Sequence, residues 1–125
     1  MTHQTEAEQL ARELGGRSSS EVRAAPWEKL PDIFGEVDLI VNASTVAPVP
    51  EALNALSPHH LVFDMVYGPQ ETSLVHFSRK KGAKAADGLL MLLHQGVFAF
   101  EIWFGKPAPA ALMRTALFAA AGRGA

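Results

Sequence analysis

The chain of 125 residues contains no cysteine. That excludes a disulfide framework, a thiol nucleophile and a thiolate metal site, and it is compatible with a reducing cytoplasm. Positive charge is not in excess: eleven Lys and Arg stand against thirteen Asp and Glu, a net charge of −2. A nucleic-acid binder resting on a basic field is therefore not expected. Long apolar runs are also missing. The most apolar stretch, residues 89–104, is interrupted by His94, Gln95 and Glu101. It falls short of the roughly 18 continuous apolar residues of a spanning helix, so a buried or interface helix is expected and no membrane partner. The first 16 residues are polar and amphipathic, without the apolar core of a signal peptide. Phosphate loops are absent too: neither G-x-G-x-x-G nor G-x-x-x-x-G-K-[ST] occurs. No internal repeat or low-complexity tract stands out.

What is present describes an ordinary folded chain. Hydrophobic residues make up 48% and charged residues 19%, which excludes disorder from low hydrophobicity over most of the length. The length suits a single domain, since domains usually span about 100–200 residues.

The pattern along the chain alternates helices with strands. Thr5 and Glu8 have capping-box spacing, and Ala7, Leu10, Ala11 and Leu14 follow at helical intervals before Gly15 and Gly16. Residues 21–25 read as a short strand. Pro26 opens a one- or two-turn helix toward Phe34, limited by Pro31. Residues 37–43 (VDLIVNA) and 60–66 (HLVFDMV) read as buried strands. Between them Pro48 and Pro50 break the chain, and residues 51–56 suit a short helix. Thr72 caps a helix over 73–81 whose last turn carries Arg79, Lys80 and Lys81, with Gly82 ending it. Residues 83–86 form a third short strand, 89–104 a long apolar helix closed by Gly105, and a last helix starts at Pro107 or Pro109. Residues 122–125 should fray. Alternating strands and helices imply an α/β fold with a parallel sheet. The strands are continuous apolar runs, which fits a sheet covered on both faces.

Few residues offer chemistry by pattern alone. His59 and His60 are adjacent, and on a strand their side chains would point to opposite faces; His3, His76 and His94 are isolated, so no metal site is expected. A Ser-His-Asp triad has no G-x-S-x-G elbow to support it. Asp64 lies in the C-terminal half of an apolar strand, where open α/β sheets place ligand crevices. It is either a general acid–base group or a carboxylate satisfied by nearby backbone donors. Gln95 sits in an apolar helix. If buried it needs a partner, either neighbouring backbone or a polar cleft.

Three ordered motifs carry a resemblance. Residues 87–105 (DGLLMLLHQGVFAFEIWFG) resemble the C-terminal signature of shikimate dehydrogenases, approximately D-G-x-G-M-L-x-x-Q-x-x-x-x-F-x-x-W-x-G. Residues 62–74 (VFDMVYGPQETSL) are similar to the family's D-x-V-Y-x-P-x-x-T-x-L, and residues 38–47 (DLIVNASTVA) to its D-L-[IV]-[IV]-N-A-T-x-x-G. The first helix resembles the segment that follows the family's N-R-T motif.

The resemblance implies an NADP-dependent oxidoreductase that reduces 3-dehydroshikimate to shikimate in aromatic amino-acid biosynthesis. Residues 1–125 would form one incomplete NADP-binding domain, a partial Rossmann-like three-layer arrangement lacking the first strand and the glycine-rich loop. Gln95 and Tyr67 match substrate-binding positions. Asn42, Ala43, Ser44, Gly88 and Met91 match positions around the cofactor. The family's catalytic Lys and Asp patterns, N-x-T-x-P-x-K and N-T-D-x-x-G, do not occur, and neither does N-R-T, whose arginine pairs the 2′-phosphate of NADP. Ala47 replaces a glycine of the strand-end loop, and Leu90 replaces the glycine before Met91, which should narrow the nicotinamide pocket. The isolated chain is expected to be inactive, with NADP affinity weak or absent. The strand at residues 37–43 would present an unpaired apolar edge, so self-association or a complementary domain is expected. The alternative is a non-catalytic binding or interaction module derived from the same fold. The choice between shikimate, quinate or a related acid stays open.

Overall fold

A computed structural model describes residues 3–48 and 50–124. The chain enters through helix α1 (His3–Gly15), a 3-10 turn (Trp27–Lys29) and helix α2 (Leu30–Phe34). Strand β1 (Leu39–Asn42), helix α3 (Pro50–Asn54), strand β2 (Leu61–Asp64), helix α4 (Ser73–Lys80) and strand β3 (Lys84–Asp87) follow. Helices α5 (Gly88–Phe104) and α6 (Ala110–Ala120) complete it. The three strands are parallel in the order β1-β2-β3, with Leu39, Leu61 and Lys84 at one end and Asn42, Asp64 and Asp87 at the other. The chain is therefore α/β with an open parallel sheet, as the alternating pattern implies.

Local chemistry accounts for most element ends. The Thr72 side chain accepts from Val75 N–H at 3.4 Å and caps α4. Asp87 plays the same part for α5, accepting from Leu89 N–H at 3.1 Å. Gly105 ends α5 at φ +63°, a left-handed conformation that glycine adopts without a Cβ penalty. Pro31 falls in the first turn of α2, where its missing N–H removes no helical bond.

The core lies on one side of the sheet. Ile40 and Val62 pack with Phe34 of α2, Ala52 and Leu53 of α3, and Leu74 of α4. Buried His60 joins this core to α2. Its Nδ1 accepts from Ser57 N–H at 2.9 Å, so Nε2 carries the proton and donates to the Phe34 carbonyl at 2.6 Å.

Four expectations need correction. The sheet is covered on one face only over β1 and β2: Leu39 is 59%, Val41 51% and Leu61 50% exposed on the other. The runs are continuous because both faces are apolar, and the described residues supply helices for one of them. Residues 21–25 are irregular, not a strand, because they find no neighbour in the three-stranded sheet. His59 and His60 do not point apart. They precede β2, where strand alternation does not apply, and their rings lie 4.0 Å apart. Of residues 122–125, expected to fray, Gly122 and Arg123 are hydrogen-bonded to α6, and residue 125 lies outside the described residues. Gly122 takes φ +72°, its N–H donates to the Ala119 carbonyl (3.0 Å), and Arg123 N–H donates to the Phe118 carbonyl (2.8 Å), the Schellman pattern of a closed helix end. In addition, Thr5 lies inside α1, which already runs from His3, so Thr5 is not its cap. Among the described residues no helix is long and apolar enough to cross a membrane.

Candidate functional site

The carboxyl ends of parallel strands are where open α/β sheets place their ligands, because the loops leaving those ends diverge and leave backbone groups unpaired. Here the register sets Asn42, Asp64 and Asp87 in one row across the sheet. Asn42 is the organiser. Its Oδ1 accepts from Ser44 N–H (3.1 Å) and Ser44 Oγ–H (2.9 Å), and its Nδ2 donates to Asp64 Oδ1 at 3.1 Å. The same Asp64 oxygen accepts from Val66 N–H at 3.1 Å. Asp64 is 3% exposed. Of its two open readings, the structure supports the carboxylate satisfied by donors: it shapes the loop after β2.

Backbone bonds stitch the three strand ends. Met65 N–H donates to the Asn42 carbonyl (2.9 Å) and Gly88 N–H to the Val66 carbonyl (3.1 Å). At Gly88 the approach is so close that a Cβ would stand 2.0 Å from the Met65 carbonyl oxygen and 3.1 Å from Tyr67 Cδ1. Only glycine fits, and this is the closest approach of α5 to the loop after β2 that such a Cβ reveals.

Ala43, Ser44, Thr45, Met65, Val66 and Tyr67 line a cleft of about 360 Å³ at this end. Two of the three residues expected at the end of β1, Ala43 and Ser44, therefore share a cleft with Tyr67, and the third, Asn42, ends the strand and bonds Ser44. Tyr67 is 47% exposed. Gly88 touches the same loop from the far side. Met91 is half-buried one turn along α5, and Gln95 is exposed one turn beyond it. The condition that Gln95 find a buried partner does not arise. Ala47 is exposed with a negative φ, so the backbone there does not take the conformation that requires glycine. Leu90 is half-buried.

The cleft holds apolar walls and a few polar atoms but no nucleophile–base couple. The Ser44 hydroxyl donates to Asn42 and accepts from Val46 N–H at 3.2 Å. At the opposite end of the sheet, the Ser57 hydroxyl bonds His59 Nδ1, while His59 Nε2 meets the Val37 carbonyl at 3.2 Å. That cluster has no carboxylate and makes no triad. Among the described residues no group of three or more His, Asp or Glu is placed to hold a metal ion.

Two contributors were not singled out from sequence. Met65 lines the cleft, and its carbonyl stands against Gly88; the only signal is its place between two motif residues. Arg123 reaches back 36 residues to pair with Asp87 at 2.6 Å; no sequence pattern announces that contact.

Residues 88–118 match the family described as shikimate 5′-dehydrogenase C-terminal domain. The shikimate dehydrogenase (NADP(+)) of Desulforamulus reducens is 36% identical over 126 residues, covering 92% of this chain and 43% of that protein. A solved shikimate dehydrogenase in complex with NADP+ superposes with a TM-score of 0.79 at 29% identity, over 95% of this chain and 44% of that one. A quinate dehydrogenase from Corynebacterium glutamicum in complex with NAD gives a TM-score of 0.77 at 27% identity, over 94% and 44%. The chain thus spans less than half the length of each of these relatives.

Proposed function

Because the chain belongs to the shikimate dehydrogenase family through its C-terminal portion, we propose that residues 1–125 act as one incomplete NADP-binding domain of a dehydrogenase converting 3-dehydroshikimate to shikimate. The observation that carries this reading is the join at Gly88. There the loop after β2 and the start of α5 meet with no room for a side chain, beside a cleft at the carboxyl ends of the strands.

The residues fit the nicotinamide half of the cofactor and not its phosphate half. Ala43, Met65 and Val66 give apolar walls for a ring, and Ser44 and Tyr67 add polar groups at the rim. No glycine-rich loop is present to cradle a pyrophosphate. When bound, NADP supplies or accepts the hydride. This chain's own part would be to hold the ring: Asn42 keeps the Ala43–Ser44 turn in shape, Gly88 lets α5 close on Tyr67, and Met91 follows one turn along the same helix. Tyr67 and Gln95 are the substrate-side groups. Gln95 suits hydroxyl recognition because its exposed amide both donates and accepts. No group here serves as acid or base, so the chain alone does not turn over. A cysteine-free chain suits the reducing cytoplasm in which we place it.

A titration with nicotinamide mononucleotide, followed by two-dimensional NMR, tests this. The expected result is weak binding, with a Kd on the order of millimolar, and signal shifts confined to Ser44, Tyr67, Gly88 and Met91. Shifts elsewhere, or none at tens of millimolar (about ten times that Kd), would sink it. So would shikimate oxidation by the chain alone.

A second reading is favoured by the bare sheet face. Leu39, Val41 and Leu61 are half or more exposed on neighbouring strands. Such a surface supports self-association or docking of a complementary domain.

A further inference from the structure

The start of α5 is held by more than its cap. Asp87 is 5% exposed and divides its two oxygens. Oδ1 accepts from Leu89 N–H at 3.1 Å, closing the first turn. Oδ2 accepts from Arg123 Nη1 at 2.6 Å. The arginine is itself fixed. Its side chain is 21% exposed, its guanidinium lies 5.7 Å from the Phe118 ring, and its backbone is locked by the Schellman closure of α6. A buried carboxylate with a single charged partner keeps one orientation. The end of α6 therefore aims the residue that begins α5.

We propose that Arg123 is a positioning residue for the cofactor-side end of α5. It acts through Asp87 on Gly88 and Leu89, and so sets where the first turn of α5, which carries Met91, stands against the loop after β2. The proposal rests on the reading of this cleft as the nicotinamide site. It goes beyond it by assigning a role to a residue outside all three motifs.

The test uses the full 125-residue chain, with Arg123→Ala and Arg123→Lys. Amide hydrogen exchange is read at Leu89, with Val62 in the core strand as reference, and the Met91 methyl resonance is followed by NMR. In Arg123→Ala, Leu89 should exchange about five-fold faster, the loss expected of a loosened cap. The Met91 resonance should shift, and Val62 should keep its protection. Arg123→Lys, which retains a cation, should recover most of both signals. Unchanged Leu89 and Met91, equal acceleration at Val62, or no recovery with lysine would each overturn the proposal. A nicotinamide mononucleotide titration separates the two ideas. Should Leu89 and Met91 respond to the substitutions while the nucleotide perturbs neither, the positioning role holds and the nicotinamide reading fails. Should the nucleotide shift Met91 identically in the parent and Arg123→Ala chains, the positioning role fails and the reading survives.

Discussion

At the residue scale, two side-chain positions carry consequences out of proportion to their size. Gly88 is chosen by space, not by backbone angle. A methyl group there meets the Met65 carbonyl at 2.0 Å and its carbon at 2.7 Å, both backbone atoms that do not yield cheaply. Gly88→Ala should therefore lower stability at or above the upper end of the overpacking range of about 1–3 kcal/mol, read as a lower urea midpoint. An unchanged midpoint would mean that α5 and the loop after β2 separate freely. His60 is 1% exposed with both ring nitrogens bonded. His60→Leu strands the Ser57 N–H and the Phe34 carbonyl, each worth about 1–3 kcal/mol when left unpaired. A loss of at least about 2 kcal/mol is expected. His59→Ala, at an exposed position, serves as control and should stay within about 0.5 kcal/mol of the parent.

At the element scale, stability is uneven. The helix α4 buries Leu74, Val75 and Ser78, and its cap is made by Thr72. Thr72→Ala should cost about 1 kcal/mol. In contrast α1 buries nothing: Leu10 is 55% and Leu14 46% exposed. An isolated helix of about 13 residues is marginal in water. Its amides should exchange fastest of all the helices, and trypsin should cut first at Arg12 or Arg17. Protection of α1 equal to that of α4 would show that something covers its apolar stripe in solution. The 3.6-residue period of that stripe predicts a helix correctly, yet a period does not name the surface on which the stripe rests.

On the scale of the whole molecule, the sheet decides behaviour. One face carries the core and the other leaves Leu39, Val41 and Leu61 open. Light scattering coupled to size exclusion should find species larger than one chain, and Leu61→Lys should shift them toward the monomer. A dilute monomer in both forms would remove the second reading of function. At the other end of the same sheet, the site is assembled from the loops after β1 and β2 plus the start of α5, so its integrity reports on the whole domain.

Much of this is legible in the sequence. Polar Asn42, Asp64 and Asp87 at the ends of apolar runs, turn residues between them and the cap at Thr72 foretell where strands stop and helices start, because caps and periodicity act over a few neighbouring residues. The three motifs likewise pointed to Asn42, Ala43, Ser44, Tyr67, Gly88, Met91 and Gln95 as one group, and the cleft unites Ala43, Ser44 and Tyr67. Tertiary structure alone decided the rest. It left residues 21–25 without a strand partner, bared one sheet face, set the His59 and His60 rings against each other at a tilt, and brought Arg123 onto Asp87. Each of these depends on which distant segment arrives beside a residue. Such arrivals are set by the packing of the whole chain, and local sequence carries no record of them.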